Sequence, residues 1–205
     1  MTDARHVGLQ QYGGCSRRSF LQVGAAAIGG ALLPSFAHAQ SASLITATDL
    51  GGATLLQGAG CNVVAMRGAD GALMIDGGLA ANADALLAAV KSATGSSRIS
   101  TLINTHWHPE QVGANEAVGR SGGVIVAHEK TKQALSTSVY SVMFTGRRAP
   151  LPEVARPNRV VRADGSMPFD GQQIDYGYMP AAHTDGDLYI HVPKVNLLVV
   201  GGVMS

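Results

Sequence analysis

Thr105-His106-Trp107-His108-Pro109-Glu110-Gln111-Val112-Gly113-Ala114-Asn115 is the stretch on which the reading of this chain turns. It follows an apolar run, Ile99–Asn104, that reads as a buried strand. In extended backbone, residues i and i+2 point to the same side. His106 and His108 at a strand end would therefore share a side, with Trp107 turned away to pack. Pro109 suits the first turn of a helix, expected over Pro109–Val118. Glu110 and Gln111 fall in that first turn, where acidic and amide side chains satisfy free N–H groups and the positive end of the helix dipole. That explanation suits Gln111 best. For Glu110 a capping role and a chemical role stand side by side.

Working outward, Ser43–Thr48, Ala53–Gln57, Cys61–Arg67 and Ala72–Ile75 read as short strands. Gly68-Ala69-Asp70-Gly71 is a turn signal that makes the last two a hairpin. Ala80–Ser92 is rich in Ala and Leu and is closed by Gly95, which predicts a helix. Gly123–Ala127 predicts a strand and Lys130–Phe144 a helix. The segment Gly146–Asn158, with three prolines, reads as a loop. Its Arg147 and Arg148 are read as solvated. The other possibilities are a lid and attraction of anionic substrates. Ser166–Phe169, Gln172–Tyr178, Leu188–Val192 and Asn196–Val200 predict four further strands. Strand–helix alternation framed by hairpins implies a mixed α/β fold in which helices cover sheets.

The chain has 205 residues, 46% hydrophobic and 14% charged, with 15 basic and 14 acidic side chains. That is enough apolar material for a core, which excludes a disordered charged tail. No strongly basic domain is present, so nucleic acid is not expected as a partner. The first 39 residues read as an address: Ser16-Arg17-Arg18-Ser19-Phe20-Leu21-Gln22, an apolar run to Leu33, and a small-x-small cleavage pattern ending at Ala39. The arginine pair resembles a twin-arginine export signal, departing from it at Gln22. The run is too short to span a membrane. The expected organisation is a signal segment over 1–39 and one domain over 40–205. The twin-arginine machinery is then a partner, and the product is periplasmic or secreted. The remaining 166 residues carry 12 basic and 13 acidic side chains, so net charge says nothing of partners. Cys61 is left alone there and reads as a small buried hydrophobe.

Five histidines remain: His106, His108, His128, His183 and His191. His183 stands in Ala181-Ala182-His183-Thr184-Asp185-Gly186-Asp187, a second strand-to-turn boundary. Three neutral imidazoles plus a water make a tetrahedral zinc site with one open position. His191 alternates with Ile190 and is expected to be solvated.

As an ordered set, these segments resemble the metallo-β-lactamase superfamily. Asp76-Gly77-Gly78 is similar to its Asp-x-Gly turn, residues 105–115 to its Thr-His-x-His-x-Asp-His-x-Gly-Gly-Asn loop, and 182–187 to its third-histidine loop. Leu197-Leu198-Val199-Val200-Gly201-Gly202 is similar to the strand leading to its bridging Asp or Cys. The resemblance implies an αββα sandwich whose C-terminal half is incomplete here. It implies zinc on His106, His108 and His183, with Asp76 bracing the histidine loop by hydrogen bonds. His128 is implied to be structural. Glu110 stands at the family's Asp position and would orient or deprotonate the water. Gln111, Gly201 and Gly202 stand where second-metal ligands belong, so one ion is expected. The implied activity is hydrolysis of a small ester, thioester, lactone or amide by a zinc-activated water. The alternatives are a non-catalytic zinc- or ligand-binding member of the fold and a truncated fragment. An uncovered sheet edge would also invite self-association.

Overall fold

The computed structural model describes residues 45–141 and 146–204. The expected signal segment therefore lies outside the described residues, as do residues 142–145. Among the described residues, thirteen strands fall into a seven-stranded sheet, a four-stranded sheet and a two-stranded hairpin. The large sheet takes β1 (Thr46–Asp49), β2 (Thr54–Gln57), β3 (Val63–Met66), β4 (Ala72–Ile75), β5 (Ile99–Ile103), β6 (Val124–His128) and β9 (Arg159–Val161) in that spatial order. It is antiparallel through β4 and parallel from there on. The second sheet is an antiparallel meander of β10 (Gly165–Phe169), β11 (Gln172–Met179), β12 (Asp187–Val192) and β13 (Leu197–Val199).

Period-2 alternation sorts the central strands into two cores. Val64, Met66, Leu73 and Ile75 point between the sheets, where they meet Met167, Phe169, Ile174, Leu188 and Ile190 of the second sheet. Val63, Ala65, Ala72 and Met74 point the other way, onto Leu86 and Val90 of helix α1 (Ala83–Thr94) and Val118 of α3 (Asn115–Arg120). A strand buried on both faces must be apolar at every position, as β3 and β4 are. The architecture is a mixed α/β sandwich: helices on one large sheet, and a second sheet packed against its inner face. Among the described residues no helix covers the outer face of the second sheet. Nor is any described helix long and apolar enough to cross a membrane.

Three expected elements differ. The helix predicted over 109–118 is two pieces, α2 (Pro109–Val112) and α3. Tertiary hydrogen bonds take its middle: Gly113 N–H donates to Gly78 O and Ala114 N–H to Gly77 O, while Gly77 N–H donates to Gln111 O. Gly113 permits this, since a Cβ there would sit 2.2 Å from the Ala80 nitrogen. The helix expected from Lys130 is shorter, α4 (Glu129–Ser136), and gives way to β7 (Val139–Ser141). β7 pairs with β8 (Gly146–Arg148) inside the segment expected to be loop. Two β-branched residues, Thr137 and Val139, mark where helix propensity fails.

Candidate metal centre

The site is built from two loops at one end of the sandwich. The first runs from the end of β5 into α2. Asn104 closes it at the base, donating to Gln111 O and sharing a reciprocal amide pair with Asn115. Residues 105–108 form a bend rather than extended strand, so the i, i+2 argument does not bring the histidines together. The turn itself does, with the rings of His106 and His108 4.7 Å apart. The second loop joins β11 to β12 and carries His183, whose ring lies 5.0 Å from His106 and 4.7 Å from His108. One nitrogen from each of the three lies within 4.8 Å of the others.

The His106 side is buried and wired. Asp76 adopts a left-handed backbone (φ 64°), which short polar side chains tolerate better than most. Its carboxylate accepts from the Thr105 N–H at 2.8 Å and from the Thr105 hydroxyl. With Asp76 ionised, the one proton of that hydroxyl is spent on the carboxylate, so towards His106 Nδ1, 3.0 Å away, it can only accept. The proton of His106 is thereby fixed on Nδ1. Nε2 is left as a bare lone pair, buried and without a partner. Burial, helped by the neighbouring His108, lowers the His106 pKa to about 4, and burial lowers that of His108 too. Complete burial raises the Asp76 carboxyl to about 7, against the Thr105 N–H and hydroxyl, which pull it down.

The His183 side is open. His183 is exposed, and its Nε2 lies 3.0 Å from His108 Nδ1. Its loop is held from behind. The carboxylate of Asp187 accepts from the Thr184 N–H and hydroxyl, Thr131 of α4 donates to Gly186 O at 3.0 Å, and Leu188 N–H donates to Thr105 O at 2.8 Å, tying the two loops together.

These residues fit a cation. The buried Nε2 is an acceptor with nothing to accept from, a costly state unless a ligand completes it. Tetrahedral zinc at about 2.0–2.1 Å would set three nitrogens about 3.3 Å apart. The His108–His183 pair is already at 3.0 Å, sharing a proton that a cation would replace. Glu110 is at the rim, with Oε1 3.8 Å from His108 Nδ1. The capping role expected of Gln111 is not seen: α2 has no side-chain cap bond, and the Gln111 Oε1 is buried without a partner. Gly201 and Gly202 carry no ligand, and their backbone is tight against the site. A Cβ on Gly202 would come within 2.5 Å of the His183 ring, and one on Gly201 within 2.5 Å of the Thr105 hydroxyl.

The other singled-out residues lie apart from the three histidines. His128 is buried, caps α4 by accepting from the Lys130 N–H, and stacks on Tyr178 at 3.8 Å. His191 is partly exposed and sits 3.5 Å from Asp175. Cys61 donates to Glu110 O at 2.8 Å, and burial pushes its thiol up to about 12. Thr131 and Asp187 were missed by sequence reasoning as neighbours of the site. Arg148 is not solvated as expected: it is half-buried, stacked over the Trp107 indole at 5.3 Å, and donates to Trp107 O and Ala134 O.

Comparisons with known proteins agree with this fold. Several solved metallo-beta-lactamases share the fold. One from Pontibacter korlensis is 20% identical, with a TM-score of 0.53 over 73% of this chain and 61% of its own. One from Cronobacter sakazakii with a HARLDQ motif is 17% identical, with a TM-score of 0.65 over 80% and 65%. A B3 enzyme described as the first with an active-site glutamic acid is 22% identical, with a TM-score of 0.58 over 72% and 57%. This chain thus spans about three-fifths of the length of the structures it matches. A comparison with curated proteins gives no significant match. The sequence model of the metallo-beta-lactamase superfamily matches residues 56–201, from β2 past β13 and through both histidine loops, and to that superfamily the chain belongs.

Proposed function

We propose that this chain is an exported, metal-dependent hydrolase that acts on a small ester, thioester, lactone or amide. One zinc would be held by His106, His108 and His183. The observation that carries the reading is the buried Nε2 of His106, deprived of any donor by the Asp76–Thr105–His106 chain and facing two further imidazoles. Zinc bound there would acidify a water towards neutrality and polarise the substrate carbonyl.

The chain's own residues supply the rest. Thr105 and Asp76 hold His106 in one tautomer and orientation, the part that outer hydrogen bonds play around metal ligands. The Glu110 carboxylate, beside His108 Nδ1, accepts the proton of the attacking water and returns it to the leaving group. The B3 enzyme with an active-site glutamic acid offers a precedent for that residue type in this fold. Neutral Gln111 and the close-packed Gly201-Gly202 backbone give a second cation no comparable ligand set. The arginine pair Arg17-Arg18, the apolar run and the small-x-small pattern support export by the twin-arginine route to the periplasm or beyond.

Metal analysis of zinc-replete protein tests the centre: about one equivalent is expected, and less than about half would sink it. Hydrolysis of 4-nitrophenyl acetate and of a chromogenic β-lactam, with His106→Ala as control, then tests the chemistry. Neutral Gln111 and the glycines at 201 and 202 favour one other reading, a zinc-binding member of the fold without turnover. Stoichiometric zinc with no hydrolysis of any substrate class would select it.

A further inference from the structure

Arg148 holds a charge that no described acidic side chain balances. It is half-buried, and burial alone pulls its pKa down, with no acidic group acting against it. Among the described residues it forms no ion pair. Two of its N–H groups are spent on the carbonyls of Trp107 and Ala134, which solvate a cation without neutralising it. Its Nε is buried with no partner. A partly desolvated guanidinium with only neutral partners is poorly compensated, and an anion is what completes it.

Its position gives that charge a use. The guanidinium lies over the face of Trp107, and the Trp107 ring meets the His108 ring edge-on at 4.6 Å. The guanidinium and the His108 ring are therefore both neighbours of one indole. We infer that Arg148 selects anionic substrates: a molecule whose scissile carbonyl sits at the histidines and whose carboxylate lies against the guanidinium. This deepens the hydrolase reading and rests on it for the word substrate. The anion-binding claim itself does not need turnover.

Trp107 is the single tryptophan of the chain and reports on its own neighbourhood. Its fluorescence in the zinc-free full chain should respond saturably to glutarate and not to glutaramide, the uncharged counterpart. Arg148→Gln should abolish the response. Arg148→Lys, which keeps the charge without the fork, should weaken it about tenfold. Equal responses to the two probes, no response to either, or a response unchanged in Arg148→Gln would overturn the inference. Should Arg148→Gln fail to fold, the wild-type contrast between probes and the Lys variant decide the matter.

Zinc-loaded protein then compares mono-4-nitrophenyl glutarate with 4-nitrophenyl butyrate. The anionic ester should be preferred in kcat/KM by about tenfold or more, and the ratio should collapse towards one in Arg148→Gln. A wild-type ratio near one overturns the selectivity. If neither ester is cleaved, the hydrolase reading falls, while the fluorescence titration still stands for or against Arg148.

Discussion

The two loops that meet at the histidines are built in opposite ways. The His106 loop is buried, and a fixed proton chain runs through it from Asp76 to a lone pair. The His183 loop is exposed and is secured behind its histidine by Asp187, Thr131, Leu188 and the Tyr178 hydroxyl, which donates to Asp185 O. One side is set before any ligand arrives. The other is held chiefly through its backbone, with the exposed imidazole contacting His108 and the Gly202 backbone. The contrast teaches that zinc affinity should depend most on the wired side and zinc exchange on the open one.

The largest effect is expected from His106→Ala, which should take zinc from about one equivalent to below about a tenth, checked by metal analysis after dialysis. His183→Ala should leave residual binding, because the pre-set pair survives. Equal loss in the two variants would break the asymmetry. Next comes Asp76→Ala, which frees the Thr105 hydroxyl and with it the His106 tautomer. Zinc affinity by chelator competition should fall about 10–100-fold, and the unpaired Thr105 groups should lower stability by about 1–3 kcal/mol in urea melts. Asp187→Ala should speed zinc release more than it weakens binding.

Acid titration sharpens the same contrast. The folded-state pKa of His106 is depressed to about 4, so the unfolded chain takes up its proton first. His106 therefore destabilises the zinc-free fold as pH falls from about 6.5 towards 4. Asp76 is raised to about 7 and has the opposite sign: its contribution is complete below its unfolded value near 3.8 and is lost as pH rises through 7. The two slopes offset one another in the wild type. In Asp76→Asn the acid loss should emerge, by up to about 1.4 kcal/mol per pH unit, in denaturant melts between pH 4 and 6.5. The smallest effect concerns Cys61, whose thiol at about 12 should be alkylated by iodoacetamide at pH 8 about 100-fold more slowly than a free thiol, followed by peptide mass spectrometry. Rapid alkylation would mean that the wired side opens.

Much of this could be read from the chain because periodicity and punctuation are local. Val63–Met66 and Ala72–Ile75 declare a hairpin through their turn residues, and the histidine spacing falls on strand ends that topology brings together. What escaped reading is long-range. Nothing in Gly113 announces that its N–H leaves the helix for Gly78, 35 residues back. Thr131 is one hydroxyl on a polar helix until Gly186 packs against it, where a Cβ would stand 2.6 Å from its oxygen. Arg148 looks like any loop arginine until β8 lays it on Trp107. The split helix and the β7–β8 hairpin are both cases of tertiary partners overriding propensity. For Gln111 the capping argument named a plausible use, but the side chain went into the interior.

The crowding at Gly202 limits what protein engineering can do here. Grafting an aspartate at that position, the obvious way to recruit another ion, would drive its β-carbon into the imidazole of His183. The designer would gain one donor by evicting another, so any remodelling has to begin by moving the β11–β12 turn outward.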